Sequence, residues 1–167
     1  MEVDTSRQIK NTHERTGFSG MGKLKTFGPN FVLYLLITRI SRGVIKVLIE
    51  DTENYIALPQ FWLKEGTIDY DFVTRKLLKL NQYCKESEIG LMVKNRQKYH
   101  TGYLKNKHNT DNAWLEGDII HVHDPMGVCF SNFPVHATAK RRRYKWHALP
   151  RYITIKDFAE SFVANYK

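Results

Sequence analysis

Apolar positions first gather in two runs, FVLYLLI at 31 to 37 and VIKVLIE at 44 to 50. Runs of that length rich in β-branched and aromatic residues read as strands, and SRG at 41 to 43 predicts a hairpin turn between them. NYIALP follows as a third short strand, stopped by Pro59. Ahead of these runs, the chain up to about Asn30 carries Gly17, Gly20, Gly22 and Gly28 among Lys and Thr residues, and reads as irregular structure wrapped on a core.

The period then changes. Val73, Leu77, Leu80 and Cys84 recur at four, three and four residues, which predicts one helical face from Ile68 to about Cys84. Asp69 and Asp71 fall in its first turn and Arg75, Lys76 and Lys79 come later, the order that complements a helix dipole. IGLMV at 89 to 93, QKYHTGYL at 97 to 104, AWLEGDIIHVH at 113 to 123 and YKWHAL at 144 to 149 read as further strands. A closing helix is predicted from Ile155 to Tyr166, with Thr154 as N-cap, Asp157 three positions on, and Ile155, Phe158, Phe162 and Tyr166 as its buried stripe. Strands with one central and one terminal helix predict an α/β fold, a mixed sheet covered on both faces.

Length and composition narrow the picture. A chain of 167 residues with 42% hydrophobic content suits one domain with its own core, and 13% aromatic residues argue against disorder. Cys84 and Cys129 belong to no C-x-x-C pattern, so the sequence signals neither a zinc site nor a disulfide framework and implies a reducing compartment. The opening MEVDTSRQIK has no apolar core, and FVLYLLI falls short of the ~20 residues a membrane helix needs, so no membrane insertion is expected of this segment.

The net charge of +9 favours anionic partners: nucleic acid, acidic lipid or a phosphorylated small molecule. Part of it lies in KRRRYK, which reads as a solvated loop or as a nucleic-acid contact through Lys140, Arg141, Arg142, Arg143 and Lys145. HVHD at 121 to 124 puts His121 and His123 on one side of a strand, but without a third ligand at a diagnostic spacing it predicts no metal site. NTDNAWLE at 109 to 116 reads either as a turn held by its own Asn and Asp side chains or as a loop facing a ligand. Composition and spacing thus give a basic α/β domain and no reaction.

Longer motifs add a resemblance. GYLKNKHNTDNAWLE at 102 to 116 is similar to a segment of the Nudix family, in the branch of the mitochondrial ADP-ribose pyrophosphatase and the homologous domain of ADP-ribose-gated melastatin-type channels, where Gly-Tyr precedes Asn-Thr-Asp-Asn-Ala-Trp. RTGFSGMGKLKTFGPNFVLYLLITR at 15 to 39 resembles the same branch's Arg-Thr-Gly, spaced-glycine and Phe-Gly-Pro-Asn stretch. IALP at 56 to 59 resembles its Trp-Ala-Leu-Pro, and LPRYITIKDF at 149 to 158 its Leu-Tyr and closing helix. The matches are collinear from about Arg15 onward. They imply a tail over 1–14, a single degenerate Nudix-like domain over 15–167, and an α/β/α sandwich around a mixed β-sheet.

Departures from the family pattern shape the expected function. A Nudix box holds divalent ions on carboxylates of one helix face, after a glycine loop that approaches the phosphates. Here Gln60 and Phe61 stand where the family has two glycines, Thr67 matches the first Glu, and the Arg-Glu-aliphatic-x-Glu-Glu core reads Arg75, Lys76, Leu77, Leu78, Lys79, Leu80. No catalytic residue, no metal ligand and no cofactor is expected, with Mg²⁺ only under a hydrolase alternative. The resemblance implies ligand contacts from Asn30, Tyr34, Thr38, Lys105, Asn106, Lys107, His108 and Tyr152, and a structural role for Asn109, Thr110, Asp111, Asn112 and Trp114.

Three functions follow. The first is a non-hydrolytic domain binding ADP-ribose or a similar anionic nucleotide, as a regulatory part of a cation channel. The second is an active ADP-ribose pyrophosphatase, and the third a protein- or nucleic-acid-binding module. The corresponding locations are cytoplasmic, at the cytosolic face of a membrane for a channel part, or mitochondrial.

Overall fold

A computed structural model of the chain describes residues 9–51, 56–66, 68–80, 83–127, 129–130 and 144–165. Strand β1 (Gly28–Ser41) is the longest element and organises the sheet. It pairs antiparallel with β2 (Val44–Asp51) through its C-terminal end and with β4 (Gln60–Leu63) through its N-terminal half. On its other side it runs parallel to β7 (Ala113–Asp124) from Gly28 beside Ala113 to Arg39 beside Asp124. β3 (Ile56–Ala57) and β8 (Tyr144–Ala148) pair with β2, while β5 (Gln97–His100) and β6 (Tyr103–Leu104) pair with β7. The sheet is therefore mixed.

Alternation along β1 divides the core in two. Val32, Tyr34 and Leu36 face a cluster containing Leu115, Ile119, Phe158, Ala159 and Val163, the last three carried by α3 (Ile155–Asn165). Leu33, Leu35 and Ile37 face the opposite cluster, covered by α1 (Tyr70–Leu80) through Val73 and Leu77 and by α2 (Glu86–Lys94) through Ile89, Met92 and Val93. Helices lie on both faces, giving an α/β/α sandwich.

The first hairpin turns through Arg42 and Gly43 alone, both at positive φ (52° and 74°), the two-residue type I′ geometry whose twist matches paired strands. Three other expectations change. IGLMV is helical, because Ile89, Met92 and Val93 share a buried face at i, i+3 and i+4, and the Glu88 carboxylate accepts the Lys85 N–H at 2.9 Å to start the helix. The central helix begins at Tyr70, since Asp69 lies outside it as a cap whose Oδ1 accepts the Asp71 N–H at 2.9 Å. β4 follows Pro59, where the hydrophobic pattern predicted the strand to stop and no further element before the helix, with Gln60 opposite Tyr34 and Phe61 opposite Leu33.

Cys84 and Cys129, expected to be unpaired, form a disulfide with 5.0 Å between their Cα atoms. They stand 45 positions apart in sequence, and the packing of α2 beside β7 brings them together. Residues 52–55, Thr67, 140–143 and Tyr166, which entered the expectations above, lie outside the described residues.

Candidate functional site

The NTDNAW loop is built on hydrogen bonds to the N-terminal segment. Asp111 Oδ1 accepts the Thr16 N–H at 2.6 Å, the Thr16 hydroxyl at 3.0 Å and the Gly17 N–H at 3.3 Å. Those donors, led by the Thr16 N–H, hold the Asp111 carboxyl below its ordinary range. Asn112 Oδ1 accepts the Gly20 N–H at 2.8 Å while its amide donates to the Ile9 carbonyl at 2.7 Å. Asn109 works inward, accepting the Leu115 N–H at 2.9 Å and donating to the Leu104 carbonyl at 2.8 Å. The Thr110 hydroxyl meets the Gly20 carbonyl and the Ala113 N–H. Trp114 is buried, its indole N–H donating to Glu116 at 3.0 Å. These side chains fasten an irregular segment and the start of β7 to each other.

Of the eight residues expected to hold a ligand, Lys105 lines a pocket of about 580 Å³ between β6, α3 and the N-terminal segment. Its walls include His13, Glu14, His100, Tyr103 and Glu160. Tyr103 stacks on His13 with ring centroids 4.7 Å apart and donates its hydroxyl proton to Glu14 at 2.6 Å. Burial, reinforced by that carboxylate, raises the affinity of the phenol for its proton. The charge here is mixed rather than uniformly basic.

The other seven lie elsewhere. Asn30 is buried, its Oδ1 accepting the Lys25 and Thr26 N–H groups at 3.0 Å each and its amide donating to the Thr26 carbonyl at 2.9 Å. Tyr34 is buried in the core, and Thr38 lies between His121 and His123. Asn106 donates to the Val163 carbonyl at 2.6 Å and accepts the His108 N–H at 2.9 Å, so it ties the loop to α3. Burial, followed by Lys23 and Lys107, lowers the proton affinity of His108. Lys107 is exposed, and Tyr152 is 91% exposed.

The box region offers a poor home for a divalent cation. α1 carries Arg75, Lys76 and Lys79, and the Lys76 ammonium lies 5.3 Å and 5.1 Å from the rings of Phe61 and Phe72. A shallow pocket beside it holds two carboxylates, Glu65 and Asp69, together with Lys64 and Arg75. Two cations offset two anions, and a third cation stands behind them, so the residues present do not fit Mg²⁺.

Two further features were not visible as such in the sequence. His121 and His123 do not converge on an ion, because both turn a ring nitrogen to the Thr38 hydroxyl. Among the described residues, the one group of three or more His, Cys, Asp or Glu side chains with metal-holding geometry is Cys84, Glu88 and Cys129, at the edge of a pocket of about 510 Å³. Of the basic run, Lys145 is described, and its ammonium pairs with Asp51 at 2.6 Å. No helix among the described residues is long and apolar enough to cross a membrane.

No family model matches the chain. A transient receptor potential cation channel subfamily M member-like 2 protein of Nematostella vectensis is 26% identical over 159 residues, an alignment covering 81% of this chain and 10% of the channel protein. The mitochondrial ADP-ribose pyrophosphatase of Rattus norvegicus is 26% identical over 172 residues, covering 87% of this chain and 49% of the enzyme. The chain thus spans about half the length of that enzyme and a tenth of the channel protein. In fold, a MutT/nudix family protein from Enterococcus faecalis matches with a TM-score of 0.50 at 13% identity, over 80% of this chain and 48% of the other. Sheet, helices and relatives agree: the chain is a Nudix-like domain, related to ADP-ribose pyrophosphatases and to melastatin-type cation channels.

Proposed function

We propose that this domain binds ADP-ribose or a related phosphorylated nucleotide without hydrolysing it, as a regulatory part of a larger channel-like protein at the cytosolic face of a membrane. The observation that carries the reading is the lysine pair on α1: Lys76 and Lys79 stand where the family's box carries carboxylates, and Lys76 is packed against Phe61, the residue in place of a loop glycine. The cationic helix repels a divalent cation, and the aromatic ring in place of a glycine blocks the close approach of a phosphate that hydrolysis needs. The relationship to a protein named for its action on ADP-ribose supports the ligand class, and the pocket at Lys105 has the volume to seat a nucleotide.

Calorimetric titration with ADP-ribose, with and without Mg²⁺, joined to an assay for AMP, tests it. Binding heat that does not need Mg²⁺ and no AMP are expected. AMP release abolished by a chelator would establish the hydrolase alternative, and absence of heat with any nucleotide would remove the ligand. The Lys145–Asp51 ion pair, which engages the described member of the basic run, weakens the nucleic-acid alternative.

A further inference from the structure

The Cys84–Cys129 pair lies at the rim of a pocket lined also by Glu88, Met92, His123 and Asp124. One ligand atom from each of Cys84, Cys129 and Glu88 lies within 4.8 Å of the other two. We infer that Cys84, Cys129 and Glu88 form a redox-gated site for a thiophilic divalent cation such as zinc, closed while the sulfurs are bonded and open once they are reduced.

Both cysteines are held in place by contacts other than their own bond. Cys84 precedes α2, whose first turn is fixed by the Lys85 N–H donating to Glu88 at 2.9 Å and by the Glu88 and Ile89 N–H groups donating to the Lys85 carbonyl at 3.0 Å and 3.2 Å. Cys129 lies on a turn after β7 that the buried Asp124 carboxylate organises, accepting the Gly127 N–H at 3.1 Å and the Phe130 N–H at 3.3 Å. The Trp146 indole N–H further ties the Phe130 carbonyl at 3.1 Å. Reduction therefore leaves two thiols side by side on anchored backbone.

The chemistry then follows from ligand type. A thiol reductant transfers two electrons to the disulfide and is itself oxidised to a disulfide, while the two cysteine sulfurs take up two protons. A zinc ion binding the thiolates releases those protons. Zn–S bonds of ~2.3 Å in tetrahedral geometry set the sulfurs ~3.8 Å apart, a separation that side-chain rotation reaches from Cα atoms 5.0 Å apart. Two soft thiolates with one carboxylate select zinc over magnesium or calcium. Glu88 uses one oxygen in the helix cap and has a second for the ion, and the adjoining pocket admits both reductant and metal.

Cobalt(II), whose thiolate complexes absorb in the near ultraviolet, probes the site in the full chain with and without prior reduction by a phosphine. Expected are one cobalt per reduced chain with a sulfur-to-cobalt band, no band in the oxidised chain, and no band after Cys84→Ser or Cys129→Ser. Glu88→Gln, which keeps the cap acceptor, should retain the band and weaken binding at least as much as loss of an outer-shell partner does, about ten-fold. Circular dichroism is recorded alongside. A reduced chain that keeps its fold but shows no band overturns the inference, as does equal cobalt binding by the oxidised chain. A reduced chain that unfolds supports it if cobalt restores the fold and overturns it if cobalt does not.

Discussion

The hydroxyl of Thr38 lies 2.6 Å from Nε2 of His121, deep in the sheet where neither side chain is more than 9% exposed. The wiring around this contact has a direction. Tyr99 donates its proton to Gln97 at 2.9 Å, so its oxygen receives Nδ1–H of His121, also at 2.9 Å. Nε2 of His121 is then an acceptor for the Thr38 hydroxyl, and the Thr38 oxygen receives Nδ1–H of His123 at 2.8 Å. A proton added to His121 would place two donors face to face.

This wiring gives a stability that depends on pH. Burial, with His123 adding to it, lowers the His121 pKa to about 4. An unfolded histidine titrates near ~6.5, so between the two values the unfolded chain binds the proton and the folded one does not. The contribution is complete above ~6.5 and declines as pH falls toward 4. Urea unfolding should show a loss of about 2 kcal/mol between pH 7 and pH 5, at ~1.36 kcal/mol per pH unit below ~6.5. His121→Gln keeps polar partners for Thr38 and Tyr99 but does not titrate, and its stability should change far less over that interval. Equal slopes for the two chains would show that His121 is not the group responsible.

Asp111 gives a second prediction, local rather than global. Its carboxylate gathers the Thr16 N–H, the Thr16 hydroxyl and the Gly17 N–H, and Asn112 gathers Gly20. Asp111→Ala should free the segment near Thr16, seen as faster proteolysis between Lys10 and Lys23 and a lower melting temperature with no ligand present. Because the Asp111 pKa is depressed, this fastening holds above the unfolded value of ~3.9 and is lost as pH falls through the folded one. An Asp111→Ala chain with unchanged proteolysis but lost nucleotide binding would move Asp111 from fastening to ligand contact.

Much of the architecture was legible because it rests on local periodicity. Val32 to Ile37 alternate between two cores, and Val73 and Leu77 are buried on one helical face. What was not legible depends on distance in sequence or on runs too short to show a period. Five residues, IGLMV, fit a strand or a helix equally, and the choice fell to the Glu88 cap and the fit of Ile89 against Leu33 and Leu77 in one core. The bond between Cys84 and Cys129 and the bridging of His121 and His123 by Thr38 need the sheet to exist before they can be seen. Polar residues such as Asn30 and Asn106 carry no mark in the sequence that tells a ligand contact from a backbone brace, and here their bonds go to backbone.

Gly117 offers a test of the β1–β7 pairing on which both cores depend. It sits opposite Val32, and a Cβ added there would lie 1.7 Å from the Val32 carbonyl oxygen, an atom of the backbone that cannot rotate away. Gly117→Ala must therefore push the two central strands apart. Its cost should meet or exceed the upper end of the ~1–3 kcal/mol usual for overpacking, measured by chemical unfolding. Gly43→Ala is the control: it has open space but positive φ, so it should strain one turn and leave the sheet intact.

The last prediction concerns how the proposed nucleotide is held. Lys105 is the exposed cation at a pocket that also contains Glu14 and Glu160, so any phosphate there meets one ammonium against a background of two carboxylates. An ammonium is a point charge and lacks the planar fork with which a guanidinium fixes two phosphate oxygens. Attraction of this kind is screened over ~8 Å at physiological ionic strength. ADP-ribose should therefore bind only modestly better than ADP or AMP, and all three should weaken as salt rises. Lys105→Ala should weaken ADP-ribose by roughly ten-fold, the equivalent of ~1.4 kcal/mol. Glu160→Gln should tighten it by lifting repulsion, while Tyr152→Ala, whose ring is exposed and does not line this pocket, should change nothing. Tight binding of ADP-ribose that resists salt, rejects AMP and ignores Lys105→Ala would place the nucleotide in a different pocket, one that reads the terminal ribose through hydrogen bonds instead of charge.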